Sequence, residues 1–427
     1  MRWVTLLLAL VLAAGTFFVP VLDAPGVETD VGVSPPPIAV CPVEEGSGRN
    51  TNLSVLSTVD GPVGLTLFTA GESAGSLASA TGASGSLVIP VVDVAAVGTV
   101  GGLVEMPNAI SAAGSVVQGA ASMSAEACAS VPEAQAFITG GSTAGEATFE
   151  LHLMNPYAGE AVVELIVESE AGTESNSRFE AVIVPPRSST FVDFNDLTPG
   201  RESLSVSIET IKGRVNAIGR LGIHGDTGVW RALPGAIDWF IPVPKGSASK
   251  ELIIATPANT EIDYQVDLFT PSGAEEAFAT GRLTERGQHV IDLGEVTEEA
   301  IGVRVVSTGP VVPVLRWSSP DIGVAITTGV VVEANRWFLP GASTLEGGWA
   351  TIIMLNAGIE DSTVSIRPLR ENTSVRSFEV SSESVLAIGI EEADGYLVES
   401  TNPVVVLWTA QRAGSTSAAI GVPILDG

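Results

Sequence analysis

Beyond residue 38 the chain alternates apolar and polar positions with a period of two, in short runs broken by Gly, Pro, Asn and Asp. The clearest runs are 161–168 (AVVELIVE), 262–269 (IDYQVDLF), 362–369 (STVSIRPL) and 63–68 (VGLTLF). A strand places alternate side chains on opposite faces, so each run predicts a strand with one buried face. Each follows another apolar run that ends in turn residues: 148–156 (TFELHLMNP), 250–258 (KELIIATPA), 350–358 (ATIIMLNAG) and 52–62 (NLSVLSTVDGP). A third matched run comes later in each copy: 213–221 (GRVNAIGRL), 309–317 (GPVVPVLRW), 402–410 (NPVVVLWTA) and, weakly, 109–117 (AISAAGSVV). Helical periodicity is absent from this region.

The runs belong to a repeat of about one hundred residues. Trp239-Phe240-Ile241-Pro242 returns as Trp337-Phe338-Leu339-Pro340, 98 residues later. Ala136-Phe137-Ile138-Thr139-Gly140 holds the same place one copy earlier, and Ile38-Ala39-Val40-Cys41-Pro42 the place before that. Six or seven short strands per copy predict an all-β protein of four tandem immunoglobulin-like sandwiches, at 38–135, 136–236, 237–334 and 335–427. A β-propeller is the alternative, with two blades per copy. Short connections without a Ser/Gly linker predict modules touching end to end as a semi-rigid rod. Trp239, Phe240, Trp337 and Phe338 then read as anchors that plug the junctions.

The N-terminus differs from the rest. Residues 4–22 form an uncharged apolar run between Arg2 and Asp23. As a helix it would span about 28 Å, close to the hydrocarbon thickness of a bilayer. The expected topology is a short cytoplasmic stub, one membrane helix over 1–22, a Pro-rich spacer over 23–37, and everything else outside. A cleaved signal peptide, and hence secretion, is the alternative. Cys41 and Cys128 both lie in the exported part, where an even pair reads as one disulfide.

Charge narrows the partners. Lys and Arg number 20 against 49 Asp and Glu, a formal net charge of −29, and only Lys212, Lys245 and Lys250 are lysines. A phosphate backbone needs clustered cations, which excludes nucleic acid as a natural partner. An anionic lipid surface would repel the exported part, leaving the N-terminal helix as the membrane contact.

Candidate chemistry is thin. His152, His224 and His289 lie in or near strands without an HExxH or other ligand spacing, and no G-x-S-x-G elbow occurs. Acidic loops at 193–196 and 391–394 lack the EF-hand pattern. Arg220 and Arg316 occupy equivalent places and read as salt-bridging strand residues. The expectation is a protein with no catalytic site, no cofactor and no metal. Trp230 and Trp349 do not recur, and are the candidate surface contacts for a protein or sugar. With its apolar N-terminus, the Cys41/Cys128 pair and the Trp239 and Trp337 openings, the chain resembles exported, membrane-anchored actinobacterial proteins of uncharacterised function. That resemblance implies no activity. The expected role is an extracytoplasmic structural or interaction protein of the cell envelope, engaging an envelope protein or polysaccharide. The alternative is a carbohydrate- or peptidoglycan-binding protein using exposed aromatics.

Overall fold

A computed structural model describes residues 38–424 except 45–48, 58–60, 70–76, 83–84, 92–98, 107–110, 120–121, 130–133, 247, 297–298, 341–347, 370–373, 392 and 394. The apolar run at 4–22 and the Pro-rich segment lie outside the described residues. Among the described residues no helix is long and apolar enough to cross a membrane. The described residues form one compact unit.

The unit is nearly all β and contains four sandwich modules. The first shows the plan: Ile38–Pro42, Arg49–Ser57, Gly61–Thr69, Leu77–Gly82, Gly85–Pro90, Thr99–Glu105, Ala112–Gly119 and Met123–Ala127 are its eight strands. Strands one, six, three and four make one sheet, in that order, and five, two, seven and eight make the other. All pairings are antiparallel. The sandwich class is the one the alternating runs predict, but the strand order of the first module is not the immunoglobulin one. Equivalent pairings recur in the other modules.

In the third and fourth modules strands six and seven fuse into Ile301–Ser319 and Gly395–Arg412. The first half of each pairs in one sheet and the second half in the other. The crossing falls near Gly309-Pro310 and Asn402-Pro403, where proline cannot donate to a ladder. Cys41 and Cys128 join strand one to the segment just after strand eight of the first module, with an S–S distance of 2.00 Å.

The four modules form a ring, which overturns the rod expected from the short connections. The eighth strands, Met123–Ala127, Asp226–Arg231, Gly323–Thr328 and Ser415–Ile420, stand side by side around an axis. The second packs against the third, the third against the fourth, the fourth against the first, and the first against the second. These strands are rich in Gly, Ala, Ser and Thr, yet buried along almost their whole length. Small side chains let four backbones converge, and Ala125, Val229, Ile326 and Ala418 leave no room for a water between them.

Away from the axis, one position repeatedly docks a module on its neighbour. Met154 of the second module sits against Gly101 of the first, and Leu355 of the fourth against Gly302 of the third. A Cβ on Gly302 would stand 2.4 Å from Leu355 Cδ1, so this close approach requires glycine. Leu56, the equivalent residue of the first module, packs with Ala112 against Phe338 and Leu397 of the fourth. That contact seals the ring.

Candidate functional site

The structure distributes the sequence-derived candidates unevenly. Trp230 is fully buried, stacks on Phe149 at 5.8 Å, and donates its indole N–H to Thr139 O at 3.0 Å. It is a core residue and not a surface contact, because it belongs to a buried axial strand. Trp239 and Trp337 are buried inside their own modules, where they repeat one geometry. Trp239 Nε1 donates to Ala236 O and Val311 O, and Trp337 Nε1 to Ala334 O and Val404 O. Their indoles therefore tie together their own modules and are not simple plugs between consecutive ones. Phe240 lies under the Arg304 guanidinium, within its own module, whereas Phe338 meets the first module at the ring-closing seam. Trp349 is 58% exposed.

The arginines read as salt-bridging partners also span seams. Arg220 pairs with Glu150 at 2.9 Å and reaches Glu44 of the first module at 3.1 Å. Arg316 pairs with Glu251 at 2.7 Å and donates to Gly140 O of the second module at 3.1 Å. His224 pairs with Glu146, and His289 Nδ1 lies 3.0 Å from Tyr264 Oη. Among the described residues no group of three or more His, Cys, Asp or Glu could hold a metal ion. Asp193 caps the short turn at 194–197 through Asn195 N, while Glu392 and Asp394 lie outside the described residues.

Two buried carboxylates at the axis were not singled out from the sequence. Asp226, at the head of the second module's eighth strand, accepts hydrogen bonds from all three other modules. Its donors are Met123 N at 3.3 Å, Val324 N at 3.1 Å, Ser415 Oγ at 3.2 Å and Thr416 N at 2.9 Å. Burial pushes its carboxyl up to about 6, against the pull of these amides. Burial likewise pushes Glu126 up to about 7, opposed by Arg231 and by the amides of Ala127 and Arg231.

A carboxyl whose folded pKa exceeds its unfolded value holds its proton more tightly in the folded state. Its contribution to stability is largest below the ordinary carboxylate range and falls as pH rises. The windows run from about 4 to about 6 for Asp226 and from about 4.5 to about 7 for Glu126. Each contribution is on the order of 3 kcal/mol. Glu150 acts oppositely: the His152 hydrogen bond, with Arg220, holds it down to about 2, so its contribution is lost below the axial window. Thermal unfolding should show a downward stability slope between pH 5 and 7 that becomes shallower in Glu126→Gln. An identical slope in the variant would refute this assignment.

The seam between the third and fourth modules opens a cleft of about 580 Å³. Strand register places Lys250 beside Trp317 on one wall, and Trp349 beside Gln411 with Thr351 beside Thr409 on the other. Lys245 and Asp321 complete the polar lining. Lys250 is 1% exposed, with its ammonium donating to Gly246 O. Burial pulls this lysine down to about 8, which leaves it cationic at neutral pH. Two of the protein's three lysines thus meet in one cleft. The sequence signal was their five-residue spacing in a lysine-poor chain. What sequence could not show was that Trp349 arrives opposite them from another module.

The model of a family described as "Family of unknown function (DUF5719)" matches residues 91–375. No curated protein matches the chain. Among solved structures, that of Thermotoga maritima 1070 is 20% identical and aligns over 21% of this chain and 95% of its own, with a TM-score of 0.18. A tetra-tandem repeat from the extending region of a large adhesion protein is 11% identical over 91% of this chain and 99% of its own, with a TM-score of 0.11.

Proposed function

Because the chain belongs to this family, whose function is unknown, we propose its role from its own geometry: a non-catalytic interaction protein of the cell envelope, held outside the cytoplasm by its N-terminal segment. The observation that carries this reading is the closed ring. Four modules are bonded across every seam and meet on an axis with no room for a water, so the ring is a rigid body whose contacts with other molecules fall on outer faces and seam clefts. The Cys41–Cys128 disulfide supports an oxidising compartment. The surplus of carboxylates supports solubility there. A saccharide-binding role is the second reading, favoured by exposed Trp349 at the mouth of a polar cleft.

The test is retention. The full-length protein, solubilised and immobilised, should hold back a specific protein or polysaccharide from cell-envelope extracts at physiological salt. Recovery of the same material on an immobilised control protein of equal negative charge would overturn the reading. Protection of the whole chain from protease added to intact cells would overturn the location.

A further inference from the structure

We propose that the cleft between the third and fourth modules binds a neutral saccharide, with the Trp349 indole carrying the ring of an equatorially substituted pyranose. The inference rests on the saccharide reading of the interaction protein and names the class of ligand. It starts from a break in the repeat. Asn155, Thr256 and Asn356 are equivalent, since the side chain of each accepts from the amide two residues on. Five residues before them stand Glu150, Glu251 and Thr351, which face Arg220, Arg316 and Thr409 across the strand pair. In the second and third modules this Glu–Arg pair bridges the seam to the module before: Arg220 reaches Glu44, and Arg316 reaches Gly140 O. In the fourth module both charges are replaced by threonine, and the seam opens at that place into the cleft of about 580 Å³. Small-molecule sites span about 300–1,000 Å³.

The lining decides the chemistry. Trp349 is the largest of the exposed apolar side chains, and Gln411 stands opposite it in the ladder. An indole offers an apolar face to C–H groups, and a pyranose with equatorial hydroxyls presents its C–H groups on both faces. The hydroxyls then point outward in the plane of the ring. Gln411, Thr351 and Thr409 lie on the same face of the sheet as Trp349, because strand residues two apart or directly paired share a face. Amide and hydroxyl groups both donate and accept, as sugar hydroxyls require. The charges within a ligand's reach cancel: Lys245 and Asp321 are exposed, one of each sign. Lys250 adds no free cation, because it is 1% exposed and its ammonium already donates to Gly246 O. In a chain of net charge −29 the surrounding field repels anions, so a cleft of balanced charge favours a neutral ligand.

The experiment titrates the full-length protein with cellotetraose and chitotetraose, two neutral probes of equatorial rings, and with tetragalacturonate as the anionic one. Binding is read by calorimetry and tryptophan fluorescence. At least one neutral probe should bind with a Kd below about 1 mM and about tenfold more tightly than tetragalacturonate. Trp349→Ala, at an exposed position, should keep the wild-type melting temperature and weaken that probe by about tenfold, the loss of roughly one aromatic contact. Thr351→Glu combined with Thr409→Arg restores the pair of the other seams, and should abolish binding by closing the cleft. No binding of either neutral probe at millimolar concentration, equal or tighter binding of tetragalacturonate, or binding unchanged in Trp349→Ala would each overturn the proposal. If Trp349→Ala still retains a polysaccharide captured from envelope extracts, the saccharide reading stands and only the cleft assignment falls.

Discussion

Replacing Asp226 with alanine should open the ring. The substitution strips a buried acceptor from Met123 N, Val324 N, Ser415 Oγ and Thr416 N, which belong to three different modules. A buried donor left without a partner costs about 1–3 kcal/mol, so the summed loss over four donors is on the order of 4–12 kcal/mol if water cannot enter. Entry of a water would lower that figure, but the axis just beyond leaves no room for one. The loss compares with the whole stability of an ordinary domain, about 5–15 kcal/mol. The modules keep their own sheets and the first keeps its disulfide, so the expected product is a chain of folded modules with loosened seams. Small-angle scattering should show a larger radius of gyration, and protease should cut between modules. Asp226→Asn should give an intermediate result, because its one remaining oxygen accepts only part of the set. A melting temperature and radius unchanged in Asp226→Ala would show that the seams do not depend on this node.

The node also explains an asymmetry in the repeat. Ser122, Gly323 and Ser415 hold the positions equivalent to Asp226, and a Cβ on Gly323 would lie 2.2 Å from Asp226 Oδ2. Gly323 also has φ of +77°, so glycine is required there for backbone as well as space. One carboxylate serves four modules, where four would repel one another across a dry axis.

The ring shows where sequence reasoning stopped. Strands such as 161–168 and 262–269 are legible because their alternation reports one buried face, and the return of Trp-Phe-x-Pro points to a repeated module. The Cys41–Cys128 pair followed from parity and compartment. The eighth strands were not legible. MSAEA and STSAAI carry small polar residues that resemble solvent-facing edges, and only the meeting of four such strands buries them. Trp230 is hidden for the same reason: it stands alone in the repeat because its axial strand differs from the others, not because it faces solvent. Alternation tells which face of a strand is covered but is silent on which module covers it, so short linkers suited a rod and a ring equally.

Trp337→Ala separates those two arrangements directly. The indole is fully buried and its N–H serves both Ala334 O and Val404 O, so truncation should cost about 3–5 kcal/mol. In a rod the damage would pass to the third module alone. In the ring the fourth module has two neighbours: Trp337 belongs to a core continuous with the third, and the next residue, Phe338, packs on Leu56 and Ala112 of the first. Native-state hydrogen exchange should therefore show protection lost in the first, third and fourth modules and best preserved in the second, which lies across the ring. Limited proteolysis should agree, with early cuts near residue 335 and at the seam between the first and fourth modules. If the first module keeps wild-type protection while the fourth loses its own, the seam formed by Leu56, Ala112 and Phe338 does not couple them, and the ring is not closed in solution.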